Sequence, residues 1–183
     1  MKKIIGIIAI CLFIGQVSAQ KFITKSGYIK FYSETPMETI EAENKTVNSA
    51  YDHKSGMIVF KVLIKSFHFE KALMQEHFNE NYMESDAFSS STFKGTIINN
   101  SDIKLTKFGK IEVDIKGALT IHGVKQEVET KGLMNIQDGS ILATAKFEVK
   151  PADYGIKIPG AVVKNIAETI EITVDVDLKE LKK

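Results

Sequence analysis

The sequence predicts one all-β domain, an extended antiparallel barrel of about eight strands with one short amphipathic helix at its mouth. Three observations point there. From residue 109 onward, apolar and polar residues alternate with period two over long runs. The dipeptides His122-Gly123 and Asp138-Gly139 supply tight-turn chemistry between those runs. Only residues 70–83 show clear helical spacing. Many strands with one polar face close most simply into a barrel, which also removes exposed sheet edges.

Composition agrees with a single globular unit. The chain has 183 residues, of which 44% are hydrophobic and 26% charged, with 3 Pro, 12 Gly and 1 Cys, which excludes disordered, collagen-like and disulfide-stapled classes. Lys and Arg total 24 against 23 Asp and Glu, so no basic surface for nucleic acid or an anionic membrane is expected.

The first residues read as a leader. Lys2 and Lys3 precede an apolar run from Ile4 to Ile14, and Val17-Ser18-Ala19 places small residues where a signal peptidase cuts. The run is shorter than the roughly 20 apolar residues a membrane span needs. Residues 1–19 are therefore expected to be a cleaved secretory signal, and residues 20–183 an exported, periplasmic or secreted domain with no membrane segment. Cleavage after Ala19 removes Cys11, and Ile10 before it is not the small residue of a lipoprotein signal. The mature chain then lacks disulfides, thiol catalysis and cysteine-bound metal.

The strands follow in order. Residues 25–32 and 40–48 are weak strand candidates. Residues 57–67 alternate better, with Ile58, Phe60, Val62 and Ile64 in one phase. Within residues 70–83, Leu73, Met74, His77, Phe78 and Tyr82 mark the apolar side of a helix. Phe93, Gly95 and Ile97 indicate another strand, and residues 103–106 a further weak one. Ile111, Val113, Ile115, Gly117, Leu119 and Ile121 alternate with polar neighbours, and a turn at His122-Gly123 sets Ile121 against Val124, Leu119 against Gln126, Gly117 against Val128 and Ile115 against Thr130. Outside, Lys116 then meets Glu129 and Asp114 meets Lys131, as cross-strand pairing prefers. Around Asp138-Gly139, Ile136 faces Ile141, Met134 faces Ala143 and Gly132 faces Ala145, continuing to Thr130 with Phe147 and Val128 with Val149. That register sets Lys131 against Lys146 and Glu129 against Glu148, so a bulge is expected there. Residues 161–167 are a second, weaker helix candidate, and residues 169–178 form the last strand.

The inner face suggests a hollow. Residues 111–121 span about 35 Å, well beyond an ordinary strand, and a tall eight-stranded barrel can hold a ligand. Gly117, Gly132, Ala143 and Ala145 all fall in the inward phase. They either leave volume or relieve strain and accommodate large neighbours. Around them lie Ile115, Leu119, Ile121, Val128, Phe147 and Val149, with Gln126 and Thr130 as uncharged polar groups. Such a wall suits an apolar chain with a modest polar end.

Catalytic patterns are missing. His53 and His122 occupy turn sequences, His68 has no motif, and His77 shares the apolar side of the helix, either as a core histidine or as a cap over a ligand. There is no paired-histidine zinc motif, no Gly-x-Ser-x-Gly elbow and no glycine-rich phosphate loop. No enzyme, metal or cofactor is expected.

The segment Leu73-Met74-Gln75-Glu76-His77-Phe78-Asn79-Glu80-Asn81-Tyr82, then Phe93-Lys94-Gly95, then Leu119-Thr120-Ile121-His122-Gly123-Val124, then Phe147 with Asp153-Tyr154-Gly155-Ile156, resembles the YceI-like family. The resemblance covers nearly the whole mature chain. It implies a lipocalin-like barrel of exported bacterial proteins, some of which hold a polyisoprenoid or another long amphiphilic lipid. It also implies that His77 and Phe78 lie beside the mouth, that Phe93 begins an inward strand, and that Tyr154 sits in the loop before the last strand. The expected lining is thus Phe60, Val62, Phe93 and Ile97, then Ile115, Leu119, Ile121, Gln126 and Thr130, then Phe147 and Ile172, with His77, Phe78 and Tyr154 at the mouth. The expected partner is a long-chain lipid, and pairing with a second copy of the chain is left open.

Overall fold

The computed structural model describes residues 20–182, so the leader reading of residues 1–19 lies outside them. Nine strands run β1 (Lys21–Glu34), β2 (Thr39–Asp52), β3 (Met57–Leu63), β4 (His68–Phe69), β5 (Ser90–Ile97), β6 (Gly109–Ile121), β7 (Val124–Gln137), β8 (Ser140–Val149) and β9 (Ile170–Glu180). They form one antiparallel sheet in the order β1, β9, β8, β7, β6, β5, β3, β2, and β1 pairs β2 to close the barrel. β4 is two residues long and pairs with Ala42 and Glu43 of β2 after the chain has left β3 through a 3-10 turn at Ile64–Ser66. The predicted strand over residues 57–67 therefore ends early. Asn44, fully buried on β2, donates its Nδ2 to the Leu63 carbonyl at 2.9 Å and so satisfies the backbone where the ladder breaks.

The β6–β7 hairpin has the register the sequence dictates, from Ile121 opposite Val124 to Ile115 opposite Thr130, with Lys116 beside Glu129. His122 and Gly123 take φ of 50° and 74°, the positive values a type I′ turn requires at both positions. The β7–β8 hairpin agrees only in part. Its ladder runs from Gln137 and Ser140 to Gly132 and Ala145 and stops. The expected pairs Thr130 with Phe147 and Val128 with Val149 do not form. Continuing the register would set Lys131 against Lys146 and Glu129 against Glu148, and like charges directly opposite oppose pairing.

Along the barrel axis the interior changes character. At the end carrying the β7–β8 turn, Phe22, Tyr51, Ile97, Ile136, Ile141 and Leu178 are at most 3% exposed and fill the lumen. Ile103, predicted to begin a strand, instead plugs this end from the loop between β5 and β6, just after a 3-10 turn at Asn100–Asp102. The Tyr51 hydroxyl donates to Asn100 Oδ1 at 2.6 Å, and Asn100 Nδ2 donates to the His53 carbonyl at 2.8 Å, which ties that loop to the β2–β3 turn. Toward the other end, inward residues of β7 such as Val124, Val128 and Thr130 are only partly buried.

The helical segment is an α-helix, α1 (Ala72–His77), continued by a π-helical turn at Phe78–Tyr82. Leu73, expected on its buried side, is 61% exposed. Residues 161–167 form turns rather than the second helix.

Candidate functional site

The half-open end of the barrel encloses a cavity of about 360 Å³, within the range of small-molecule sites. Its floor is set where Ile58, Val113, Met134 and Val176, each at most 2% exposed, close onto the packed end. Its wall carries Phe60 and Val62 from β3, Phe93 from β5, Ile115, Leu119 and Ile121 from β6, Thr130 from β7, Phe147 from β8 and Ile172 from β9. His77, Phe78 and Tyr154 stand at the mouth. Two expected lining residues are elsewhere. Ile97 is 1% exposed and belongs to the packed end, because β5 ends there. Gln126 turns its amide to the loop after β8, donating Nε2 to the Asp153 carbonyl at 2.7 Å.

The small inward residues divide by role. A Cβ on Gly117 would lie 2.4 Å from Gly95 Cα and 2.8 Å from Phe93 Cζ, so Gly117 and its cross-strand partner Gly95 make room for the Phe93 ring rather than for a ligand. A Cβ on Gly132 would meet Ile115 Cδ1 at 3.1 Å. Ala143 and Ala145, in contrast, line the cavity.

The roof is held by aromatic packing. Phe31 of β1 meets Phe67, Phe69 and Phe78 at ring distances of 5.7, 5.5 and 5.5 Å, and Phe69 and Phe78 lie 5.0 Å apart. The helical segment is thereby fastened across the barrel end, and Met74, Phe78 and Tyr82 face the cavity. Phe31, Phe67 and Phe69 were not among the expected site residues. The Phe67-His68-Phe69 alternation is a signal that could have found two of them.

Residues 150–169 complete the roof through Ile156, Ile158, Val162 and Ile166. This loop begins with a 3-10 turn at Pro151–Tyr154 that closes on Gly155 at φ 71°. Tyr154 is 3% exposed, and burial raises its phenol pKa. Glu38, at the β1–β2 turn, joins three parts of the roof. Its carboxylate accepts from Asn165 Nδ2 at 3.0 Å and from Lys71 Nζ at 3.2 Å. Those bonds, Asn165 first and Lys71 second, hold its pKa below the usual glutamate range. Ser33 Oγ accepts from the Ala167 amide at 2.9 Å beside it. Glu38 is the one carboxylate and His77 the one imidazole in the lining among the described residues. The arrangement can exclude water from an apolar chain and offer a few polar groups at its rim. Among the described residues, no group of three His, Cys, Asp or Glu could hold a metal ion.

Comparisons with solved structures place the same barrel elsewhere. A polyisoprenoid binding domain from Saccharophagus degradans, implicated in plant cell wall breakdown, superposes with a TM-score of 0.77 at 13% identity, covering 89% of this chain and 99% of that one. BcnA from Burkholderia cenocepacia gives 0.68 at 12% identity, covering 83% and 95%. A YCEI protein from Campylobacter jejuni gives 0.58 at 16% identity, covering 78% and 85%. No curated protein matches the chain in sequence. The YceI-like domain model, however, matches residues 19–178, which takes in β1 to β8, the roof and all but the last two residues of β9. With its sequence matched over that length and its barrel closed in the same way, this chain belongs to the YceI-like family.

Proposed function

We propose that this protein is an exported carrier that holds a long-chain amphiphilic lipid, of the polyisoprenoid class, in the barrel lumen without transforming it. The carrying observation is the continuous, predominantly apolar cavity beneath the roof of α1 and residues 150–169, with Glu38 the one carboxylate and His77 the one imidazole in its lining among the described residues. Burying an apolar tail there releases about 0.8 kcal/mol per CH2 group. The polyisoprenoid binding named for the Saccharophagus degradans domain supports the choice of ligand class. The lone imidazole of the lining sits on the exposed side of α1, which supports binding rather than catalysis. The leader-like residues 1–19 support export, and no helix among the described residues is long and apolar enough to cross a membrane.

Organic extraction of protein purified from its host, followed by mass spectrometry, tests this reading. A co-purifying prenyl lipid, or saturable binding of added prenyl lipids to stripped protein, is expected. Repeated preparations that carry no lipid and bind none would overturn it.

A further inference from the structure

The barrel wall is not bonded evenly. β7 pairs with β6 along its whole length to Val124, and β8 pairs with β9 along its whole length to Val149, but β7 and β8 pair with each other only from Gln137 to Gly132. Beyond that point two strand edges face each other without a ladder. At their near end the Thr130 hydroxyl reaches toward the Lys146 carbonyl at 3.5 Å. At the far end the Pro151–Tyr154 turn folds back onto β7 through the Gln126 to Asp153 bond. Between these pins, Val128 and Thr130 on one edge and Phe147 and Val149 on the other all line the cavity.

The outer charges follow the same division. Lys116 pairs with Glu129 and Asp114 with Lys131, which binds β7 to β6. Lys146 pairs with Glu171 at 2.9 Å, which binds β8 to β9. Among the described residues no ion pair joins β7 to β8. At the two outward positions just past the ladder the register would set like charges directly opposite, Lys131 with Lys146 and Glu129 with Glu148, which opposes zipping of this seam. Backbone with few ladder bonds opens at low free energy. The mouth, in contrast, is fastened by the four-ring phenylalanine cluster and by the Glu38 bonds to Lys71 and Asn165.

We propose that the unzipped seam between β7 and β8 is a lateral passage through which a lipid tail enters and leaves the lumen while the roof stays in place. The passage rests on the lumen being a lipid site, and the test separates the two. The full chain carrying Cys11→Ser with Glu129→Cys and Glu148→Cys has two outward-facing thiols at positions the register would set opposite each other. Uptake and release of a dansyl-labelled geranylgeranyl amine are followed by stopped-flow fluorescence, and loss of free thiols reports closure. Oxidation is expected to slow both rates about tenfold or more with Kd little changed, and reduction to restore them. As a second arm that needs no closure, a bulky maleimide on the single Glu148→Cys variant is expected to slow both rates. The same label on Lys110→Cys, exposed at the packed end, is expected to change neither. Rates at the parent level with the maleimide at position 148 overturn the passage, as does a formed staple without effect, while leaving the lumen site standing. Absence of probe binding to the stripped parent overturns the lumen site and the passage with it.

Discussion

Glu84 Oε2 lies 2.7 Å from His122 Nε2, so the residue that ends the helical segment is tied to the β6–β7 turn. The imidazole also packs on Phe88 at 4.4 Å, and its Nδ1 is 3.4 Å from the Tyr154 carbonyl. One turn residue thus joins the helical segment, the loop after it and the 3-10 turn after β8. The turn also requires His122 and Gly123 to hold positive φ, and a Cβ on Gly123 would sit 2.7 Å from Phe88 Cε1. Gly123→Ala is therefore expected to destabilise the fold by about 2 kcal/mol or more, from left-handed backbone strain plus the clash. His122→Asn keeps the backbone preference and loses the side-chain contacts, at about 1 kcal/mol. Urea midpoints with unchanged m-values check both.

Substitutions at the inward small residues should part company. At Gly117 an added Cβ meets backbone at 2.4 and 2.5 Å, which cannot move cheaply, so Gly117→Ala is expected to cost about 2 kcal/mol or more. Ala143→Leu projects into the cavity instead, so stability should hold within about 1 kcal/mol while affinity for a prenyl lipid falls. A strongly destabilised Ala143→Leu would favour a filled barrel acting as an interaction module.

The roof should loosen in acid. Glu38 has a lowered pKa in the fold, so its stabilising contribution is present above the unfolded value of about 4.3 and is lost as pH falls through the lower folded value. Glu38→Gln is expected to remove that dependence, so the urea midpoints of parent and variant converge as pH drops below about 4.3. Midpoints that stay equally separated at all pH values would contradict the assignment.

At the packed end, Asn100→Ala removes the acceptor of the buried Tyr51 hydroxyl and the donor to the His53 carbonyl. A loss of about 1–3 kcal/mol is expected. Lipid affinity measured below the melting transition should not change, since the cavity floor at Met134 and Val113 stands between the two.

What could be read in advance followed the continuity of the pattern. β6, β7 and β9 alternate without interruption, so their phase, and for the β6–β7 pair the register as well, came directly from the residues. β1 and β2 resisted because each changes phase partway. The register shifts between Thr24 and Gly27 and between Gly27 and Ile29 move the inward set from Phe22 to Gly27, Ile29 and Phe31, while β2 moves from Ala42 and Asn44 to Val47 and Tyr51. A period-two search sees two short weak runs where there are two 14-residue strands.

The site was legible where it lay on those regular strands. Ile115, Leu119, Ile121 and Phe147 reached the cavity because alternation fixes which way a strand residue points. Ile97 obeyed the same rule and still missed, since alternation gives the face and not the depth along the axis. Gln126 has the inward phase, but its long side chain finds a carbonyl on a loop 27 residues away. Glu38 and the Phe31 cluster gather residues from turns and short segments far apart in sequence, which no local period can reveal.

The change of interior along the axis makes each long strand a compound part. Its residues near the β7–β8 turn serve cohesion, and those a few positions toward the roof serve capacity. Changes confined to the roofward third of each strand would then reshape the cavity and leave the folding core untouched.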